Sequence, residues 1–298
     1  MAERIQLGGS YVALVTPFSD GEVDYGALGE LIDFQIDSGT QGLVPCGTTG
    51  ESPTLTHDEQ DRVTAFTAER SAGRVPVVAG TGSNSTAEAV RLTRHAKEAG
   101  ADACLVVNPY YNKPTQQGMF EHIARLAEVE LPIVLYNIPG RTSIELAVET
   151  IARMYADIEM VVAVKEATGK LDVASAIAAA CDITILSGDD SLTLPIASVG
   201  GRGVISVLGN LLPAEIRALC DAIAAGDAET ARRTHLRLFP LFKAMFVQTN
   251  PIPIKAALAM AGRIRNELRL PMTPLSEAHR QPLAAMLRGA GVDLSRTS

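Results

Sequence analysis

Eight short runs of apolar residues, separated by segments with helical spacing, constrain the fold of this chain more than any other feature. Each run is apolar at almost every position, whereas a strand with one face in water would alternate apolar and polar residues. The runs therefore predict parallel strands that are buried on both faces, with helices between them. They cover residues 11–18, 42–46, 75–80, 103–108, 133–137, 161–165, 183–187 and 203–208.

The length of the chain alone allows two architectures. Its 298 residues fit either two domains of about 150 residues or one α/β barrel of about 250. The eight strand starts are spaced by roughly 20 to 35 residues, which favours the barrel. We therefore predict an α/β fold with a (β/α)8 TIM barrel over residues 1–226. A helical extension should follow over residues 227–298, with apolar faces at 228–246, 252–266 and 276–289 that need a covering surface.

Ser/Thr-x-x-Glu sequences predict where helices begin. In this pattern the first side chain and the glutamate side chain each bond a backbone N–H at the position of the other. The chain has the pattern at 56–59, 85–88 and 142–145. We expect each of the three to open a helix.

Composition argues against several classes of protein. The chain has 26 Lys and Arg against 34 Asp and Glu, a net charge of −8. We therefore expect no nucleic-acid or anionic-membrane partner, since either requires a basic surface. The apolar runs are shorter than a bilayer span, and the first residues do not form a signal peptide. Four cysteines without a Cys-x-x-Cys pair predict a reduced, cytoplasmic protein.

The sequence predicts neither a metal nor a cofactor. The five histidines form no His-x-x-x-His pair, so ligands at the usual spacing for a metal site are missing. Gly80 and Gly82 resemble the start of a dinucleotide loop, but Ser85 stands where that loop has its third glycine. Chemistry performed by side chains alone is therefore favoured.

Lys165 is the residue that most strongly indicates chemistry. Period-two alternation places it with Val161 and Ala163 on the face of its strand that points into the barrel. Burial lowers the pKa of an amine, and a neutral amine can attack a carbonyl to form a Schiff base. The alternative is a structural lysine paired with Glu166, although adjacent strand residues point to opposite faces.

Other polar residues follow predicted strands at the end of the barrel where active sites lie. The loop 46–52 offers two threonine hydroxyls beside glycines, whose backbone can approach a ligand closely. Tyr110, Tyr111 and Tyr136 provide phenols for proton transfer, and Arg141 has the planar fork that binds a carboxylate. The alternatives are an ordinary turn for the loop and a surface role for Arg141.

Five motifs at strand ends together resemble the dihydrodipicolinate synthase family, in the family's order and over nearly the whole chain. They lie at 47–52, 108–112, 136–142, 165–166 and 203–206. The wider group, similar in fold and in its Schiff-base lysine, includes N-acetylneuraminate lyase and keto-deoxy sugar acid aldolases. The resemblance implies a cofactor-free lyase of lysine and diaminopimelate biosynthesis. In it Lys165 forms a Schiff base with pyruvate, and the resulting enamine adds to L-aspartate 4-semialdehyde.

The resemblance also implies roles for other residues. Tyr136 would donate and accept the proton, and Thr48 and Tyr111 would complete a relay to solvent. Members of the family are homotetramers, built as dimers of dimers, so Tyr111 would cross a tight dimer interface and serve the neighbouring subunit's site. Four residues match substrate-binding positions: Thr49, Gly188 and Ile205 for pyruvate, and Arg141 for the carboxylate of the second substrate.

Many members of this family are inhibited by lysine at a cleft between subunits. Pro53 stands where alanine is common in this cleft, and Gln60 stands where some members have histidine. The residues that match the cleft are Ser52, His57, Asn84, Glu88 and Tyr110. Helix capping is the alternative role for Ser52, Asn84 and Glu88.

Two other functions stay open on the sequence. One is a pyruvate-dependent aldolase acting on a sugar acid such as N-acetylneuraminate or a 2-keto-3-deoxy acid. The Thr48–Thr49 pair and Arg141 favour the synthase over this aldolase. The other is a small-molecule sensor that kept the barrel and lost catalysis, which the joint presence of Lys165, Tyr136 and Arg141 disfavours.

Overall fold

The computed structural model describes residues 5–294, and its main feature is a sheet of eight parallel strands. A separate two-stranded hairpin, β2 and β3, lies beside it. The order in the sheet is β4-β1-β10-β9-β8-β7-β6-β5. The strands are β1 (Gly9–Ala13), β2 (Phe18–Ser19), β3 (Glu22–Val23), β4 (Gly42–Val44), β5 (Val78–Gly80), β6 (Ala103–Val107), β7 (Ile133–Asn137), β8 (Val161–Glu166), β9 (Thr184–Ser187) and β10 (Gly203–Ser206).

The two ends of this sheet meet and close it into a barrel. Leu43 forms a parallel bridge with Val77, and its N–H donates to the Pro76 carbonyl at 2.9 Å. The Gly80 N–H donates to the Pro45 carbonyl, also at 2.9 Å. The predicted (β/α)8 barrel is therefore confirmed.

Twelve α-helices lie within residues 5–294, most of them around the barrel. Each strand of the barrel except β9 is followed by a helix of at least ten residues. The helix after β4 is α2, which a short 3₁₀ turn precedes. The helices are α1 (Tyr25–Asp37), α2 (His57–Ser71), α3 (Thr86–Glu98), α4 (Gln116–Ala127), α5 (Pro139–Thr142), α6 (Val148–Asp157), α7 (Leu171–Ala180), α8 (Thr193–Ala197), α9 (Pro213–Ala224), α10 (Ala228–Ala244), α11 (Ile252–Met260) and α12 (Glu277–Gly289).

The first barrel strand is shorter than the predicted run 11–18. After Ala13, the side chain of Asn210 takes over the hydrogen bonding of the backbone: its Oδ1 accepts from the Val15 N–H at 3.1 Å and its Nδ2 donates to the Ala13 carbonyl at 2.7 Å. Pro17 then lacks an N–H to continue a ladder. Only Phe18, the last residue of the predicted run, is in a strand again, in the hairpin of β2 and β3.

Strand β8 contains a bulge that changes which residues face the barrel interior. Ile133 pairs with Val161 and the next residue, Val134, pairs with Ala163, so Val162 is the extra residue. Val162 and Ala163 both belong to the interior cluster, and Val161 packs in the outer cluster. The prediction that Val161 shares the inward face with Lys165 is therefore wrong, because the bulge breaks the alternation.

Two of the three predicted helix starts are confirmed. Thr56 and Glu59 form the reciprocal capping pair at the start of α2. Ser85 is the N-cap residue of α3, although its side chain forms no capping bond and the Glu88 carboxylate bonds Ser83 and His57 instead of the helix start. Thr142 lies at the end of α5, and the next helix begins only at Val148, so the third prediction is wrong.

The C-terminal helices pack directly on the barrel. A single apolar cluster joins residues next to β1 and β10, such as Val15 and Leu208, with α10, α11 and α12. Helix α9 ends at Ala224 and α10 begins at Ala228; the division into segments 1–226 and 227–298 stays a prediction, and residues 1–4 and 295–298 lie outside the described part. Across residues 5–294 we find no helix whose length and apolar character would let it cross a membrane.

Candidate active site

Lys165 lies near the carboxyl end of β8 and is 6 % exposed. Of residues 5–294, none forms an ion pair or a hydrogen bond with its Nζ atom. The neighbouring Glu166 is occupied elsewhere: its carboxylate accepts from the Thr168 N–H at 2.7 Å and from Asn137 Nδ2 at 3.3 Å. The alternative of a structural pair between Lys165 and Glu166 is therefore not what the structure shows.

Burial lowers the pKa of the Lys165 amine from 10.5 to about 8. The positive charge of Arg141 acts in the same direction, whereas the carboxylates of Asp189 and Asp190 partly oppose the shift. With a pKa of about 8, roughly a tenth of the amines are neutral at pH 7, compared with a few in ten thousand for a free lysine. The amine is thus available as a nucleophile.

Tyr136 lies beside this amine on the adjacent strand. The two residues are register partners of β7 and β8, and the Lys165 Nζ atom is 4.3 Å from the centroid of the phenol ring. Burial raises the pKa of Tyr136 to about 12, a shift that Arg141 and a contact with the Thr48 hydroxyl partly oppose. The phenol is therefore protonated at neutral pH and able to donate.

Two residues without polar side chains limit the space around the amine. A Cβ atom on Gly188 would lie 3.2 Å from Lys165 Cε and 2.6 Å from the Ala167 Cβ, so only glycine fits without displacement. Ile205 is 1 % exposed and belongs to the interior cluster. Between them they bound the end of the barrel from β9 and β10.

Asn250 connects two of the predicted substrate residues, and sequence reasoning did not single it out. Its Nδ2 donates to Thr49 Oγ1 at 2.9 Å, and its backbone carbonyl accepts from Arg141 Nη2 at 3.1 Å. Its Oδ1 is buried without a partner in the described chain. The Asn-Pro sequence at 250–251 indicates a turn, but nothing local to it indicates contacts across 201 residues.

A cavity of about 410 Å³ opens at this end of the barrel. Its lining contains residues predicted for catalysis or substrate binding and residues predicted for the lysine cleft. The two predicted sites are therefore neighbours in the structure. The lining includes Thr48, Ile138 and Arg141 together with Ser52, His57, Ser83, Glu88 and Tyr110.

Glu88 is the centre of a small polar cluster in this cavity. Its carboxylate accepts from the Ser83 hydroxyl and bonds His57 Nε2. These bonds, with that of Ser83 first, lower the pKa of Glu88. Tyr110 lies close by, and burial together with the Glu88 charge raises the pKa of its phenol. Ser83 was not predicted, since it precedes the helix start and carries no motif of its own.

Seven predicted site residues do not line this cavity: Lys165, Tyr136, Thr49, Gly188, Ile205, Tyr111 and Asn84. Tyr111 is 91 % exposed and has a φ of 71°, in the left-handed region that a tyrosine rarely adopts. Asn84 contributes its backbone, whose carbonyl accepts from Asn112 Nδ2 at 2.9 Å.

The acidic pair after β9 divides into two roles. Asp190 is fully buried, and its carboxylate accepts from the N–H groups of Val207 and Leu208, each at 3.0 Å, and from the Ser206 hydroxyl. It therefore holds the turn after β10. Asp189 is partly exposed; burial raises its pKa, while the charges of Lys165 and Lys243 lower it.

Within the described range 5–294, no three His, Cys, Asp or Glu side chains converge on a position that could hold a metal ion. The polar side-chain groups that line the cavity are hydroxyls, one amide, one guanidinium, one imidazole and one carboxylate. Such groups suit a small substrate that carries carboxylates and an amine.

Comparison with known proteins gives consistent matches over nearly the full length. The family model described as "Dihydrodipicolinate synthetase family" matches residues 6–290. A protein of Citrifermentans bemidjiense named 4-hydroxy-tetrahydrodipicolinate synthase is 53% identical over 283 residues, which cover 94% of this chain and 97% of the relative.

Solved structures match equally well. The crystal structure of dihydrodipicolinate synthase from Aquifex aeolicus has a TM-score of 0.96 at 49% identity and covers 97% of this chain and 100% of that one. A structure of the enzyme from Cyanidioschyzon merolae with lysine bound has a TM-score of 0.93 at 41% identity, over 96% of this chain and 99% of that one.

Proposed function

Since the chain belongs to the dihydrodipicolinate synthetase family, we propose that Lys165 is the amine on which it condenses pyruvate with L-aspartate 4-semialdehyde. The activity is that of a Schiff-base-forming lyase, 4-hydroxy-tetrahydrodipicolinate synthase, in lysine and diaminopimelate biosynthesis. One observation carries the assignment of the lysine: its amine is buried, has no carboxylate partner among the described residues, and has a pKa lowered to about 8. A neutral buried amine is what attack on a ketone requires.

The reaction begins when the neutral Lys165 amine attacks C2 of pyruvate. Loss of water from the carbinolamine gives a Schiff base, and loss of a proton from C3 gives an enamine. The enamine carbon then forms a bond to the aldehyde carbon of the semialdehyde, whose oxygen takes up a proton. The amino group of this second substrate finally attacks C2, which closes the ring and releases Lys165. The lysine supplies the electron sink, so no cofactor is needed.

Tyr136 is placed to move the protons in these steps. Its phenol ring lies over the amine, and its pKa of about 12 keeps it protonated and ready to donate. The Thr48 hydroxyl contacts the phenol and lines the cavity. We assign Thr48 to the relay that carries the proton away from Tyr136.

The substrates would occupy the space between these groups and the cavity. Thr49 and the close approach allowed by Gly188 support a pyruvate site beside Lys165, with Ile205 as its apolar wall. Arg141 lines the cavity and carries the only guanidinium among the lining residues, which suits the carboxylate of the semialdehyde.

Tyr111 would complete the relay from a second subunit. Its ring is 91 % exposed on a backbone of positive φ, which holds an aromatic group out in solvent rather than over its own barrel. A partner subunit that receives this ring would explain both features. We infer a homotetramer, a dimer of such dimers, working in the cytoplasm.

The cluster around Glu88 would bind lysine as an inhibitor. The carboxylate of Glu88 can pair with an ammonium, and His57, Ser52 and Tyr110 line the same part of the cavity. A relative from Cyanidioschyzon merolae has been solved with lysine bound. Asn84 lies beside Tyr110 and belongs to the same proposed site.

An activity screen tests the choice of substrate. The protein is supplied with pyruvate and L-aspartate semialdehyde in one arm, and with N-acetylneuraminate or a 2-keto-3-deoxy acid in the other. We expect cyclised product only in the first arm. Turnover of the sugar acid alone would overturn the assignment, and pyruvate binding without turnover in either arm would favour a sensor.

Borohydride trapping tests the lysine. Pyruvate with borohydride should reduce the Schiff base to a stable adduct on Lys165, seen by mass spectrometry. Lys165→Ala should lose the adduct and stay folded, because removal of a buried unpaired charge need not destabilise the core. The matched control is Lys170→Ala, which replaces an exposed lysine five residues after Lys165. This variant should keep the adduct. An adduct that persists in Lys165→Ala moves the nucleophile elsewhere.

Subunit mixing tests Tyr111. Tyr111→Phe should lower turnover, and Lys165→Ala should abolish it. If Tyr111 serves the neighbouring site, mixed dimers of the two variants contain one complete site, with Lys165 from one chain and Tyr111 from the other. Mixing should therefore raise activity above the sum of the separate variants. No gain on mixing would place Tyr111 outside the partner's relay.

A further inference from the structure

A buried ion pair joins the C-terminal helices to the loop that carries the two catalytic-site threonines. Lys255 on α11 is 0 % exposed, and its Nζ donates to Glu51 Oε1 at 2.5 Å and to the Thr16 carbonyl at 2.9 Å. The ammonium also lies 4.2 Å from the centroid of the Phe18 ring. Every strong contact of this amine is therefore with the barrel and not with its own helix.

The second oxygen of Glu51 is held from the same side. Its Oε2 accepts from the Arg269 backbone N–H at 3.1 Å. The carboxylate is thus fixed at both oxygens by the segment after α10, at positions 14 residues apart in the chain. A carboxylate held at two points has a defined position and direction.

Backbone hydrogen bonds connect Glu51 to Thr48 in one tight turn. Its N–H donates to the Thr48 carbonyl at 3.1 Å, and the Gly50 N–H donates to the Gly47 carbonyl at the same distance. The φ of Glu51 is 54°, in the left-handed region, where a residue with a side chain needs contacts that hold it. A shift of the Glu51 side chain would therefore move the tight turn that presents the Thr48 hydroxyl.

Stability alone does not account for two charges at this place. Removing an ion from water costs several kcal/mol, about as much as its partner returns, and apolar side chains of similar volume often stabilise such a site more. What an ion pair adds is a fixed distance and direction between two elements. A second contact joins the same two segments: Asn250, five residues before Lys255, donates from its Nδ2 to Thr49 Oγ1 at 2.9 Å.

We propose that Glu51 and Lys255 are positioning residues, which hold the turn of Thr48 against the barrel mouth so that the relay from Tyr136 is aligned. The C-terminal helices thereby set the geometry of the active site without touching the substrate. The proposal rests on the relay role of Thr48 given above. It extends that role to two residues that do not line the cavity.

Kinetics of two single variants give the first test. Lys255→Met and Glu51→Gln should lower kcat by about a hundredfold, the order expected for a displacement of about 1 Å. Borohydride trapping of pyruvate should persist in both, since Lys165 is held by β8. The control is Arg237→Met, which breaks an exposed ion pair between α10 and Glu215 on α9. It should leave kcat unchanged.

A double-mutant cycle with Thr48→Val separates positioning from a general structural effect. If Lys255 acts through Thr48, Lys255→Met should cost less than about twofold in kcat once Thr48→Val is present. Losses that multiply independently would overturn the proposal and leave the relay standing. An unchanged kcat in Thr48→Val alone would overturn the relay role, and with it the positioning of Thr48.

A charge-free pair covers the case in which a single variant does not fold. Glu51→Gln/Lys255→Met removes both charges together, so no buried charge lacks a partner. We expect it to melt close to the parent and still to turn over slowly. A double variant with both the melting temperature and the kcat of the parent would overturn the proposal.

Discussion

The phenol ring of Tyr136 covers the amine of Lys165, with the Nζ atom 4.3 Å from the ring centroid. The two residues are register partners on adjacent strands, so the backbone hydrogen bonds of β7 and β8 fix their separation. An aromatic face favours an ammonium, whereas burial disfavours it. Burial dominates, since the pKa of Lys165 is lowered to about 8.

This pKa predicts the pH dependence of adduct formation. Because only the neutral amine attacks pyruvate, the trapping rate should rise about tenfold per pH unit below the pKa. It should level off above about 8. The measurement is the borohydride trapping rate at saturating pyruvate across neutral to alkaline pH. A rate that keeps rising past pH 10 would show an unperturbed lysine.

Removal of the Tyr136 hydroxyl should separate binding from turnover. Tyr136→Phe keeps the ring over the amine but has no proton to donate, so kcat should fall by about a hundredfold or more. The trapping rate with pyruvate should fall less, because the amine keeps its surroundings. Both rates are measured on the same preparation. Full turnover in this variant would contradict the assigned proton transfer.

Gly188→Ala should damage the site through space alone. The added Cβ would lie 2.6 Å from the Ala167 Cβ and 3.2 Å from Lys165 Cε, so the amine must shift. We expect a loss of about tenfold or more in the rate of adduct formation. Gly289→Ala, where a Cβ meets nothing within 4 Å, is the control. Equal rates in the two variants would remove Gly188 from the pyruvate site.

The ion pair of Glu59 and Arg269 should contribute to acid stability. The hydrogen bond from Arg269 lowers the pKa of Glu59 from 4.5 to about 2. A carboxylate with a lowered pKa stabilises the fold above its unfolded pKa, and this contribution is lost as the pH falls toward its folded pKa. Glu59→Gln should therefore melt lower than the parent at neutral pH, with a difference that shrinks between pH 4.5 and 2.

Thermal unfolding followed by circular dichroism over this range measures the effect. The exposed Glu229→Gln, on the outer surface of α10, is the control and should follow the parent at every pH. A difference between Glu59→Gln and the parent that stays constant down to pH 2 would contradict the ion-pair explanation.

The parallel barrel could be predicted from the sequence because its strands are apolar on both faces, and a pattern of that kind is local. Lys165 stood out for the same reason, as one charge in an apolar run. What the sequence did not indicate depends on contacts between distant residues. The Val162 bulge follows from the pairing of β7 with β8, and the early end of β1 follows from the side chain of Asn210.

The contacts of the C-terminal helices were missed for the same reason. Lys255 and Asn250 reach Glu51 and Thr49 across more than 200 residues. Their own neighbourhood predicts only a helix and the turn before it. The pattern at 85–88 marks the start of α3 correctly, but its reciprocal bonds do not form, and the Glu88 carboxylate bonds Ser83 and His57. A capping bond that the local sequence favours does not form where the side chain has stronger partners in the tertiary structure.

The cavity shared by Arg141 and Glu88 has a consequence for chemical intervention. One molecule could offer a carboxylate to the guanidinium and an ammonium to the acid, because both groups line the same cavity. Its two charged groups would need to be spaced to the width of the chamber. Antimetabolites designed on that spacing would occupy the proposed semialdehyde site and the proposed lysine site at once.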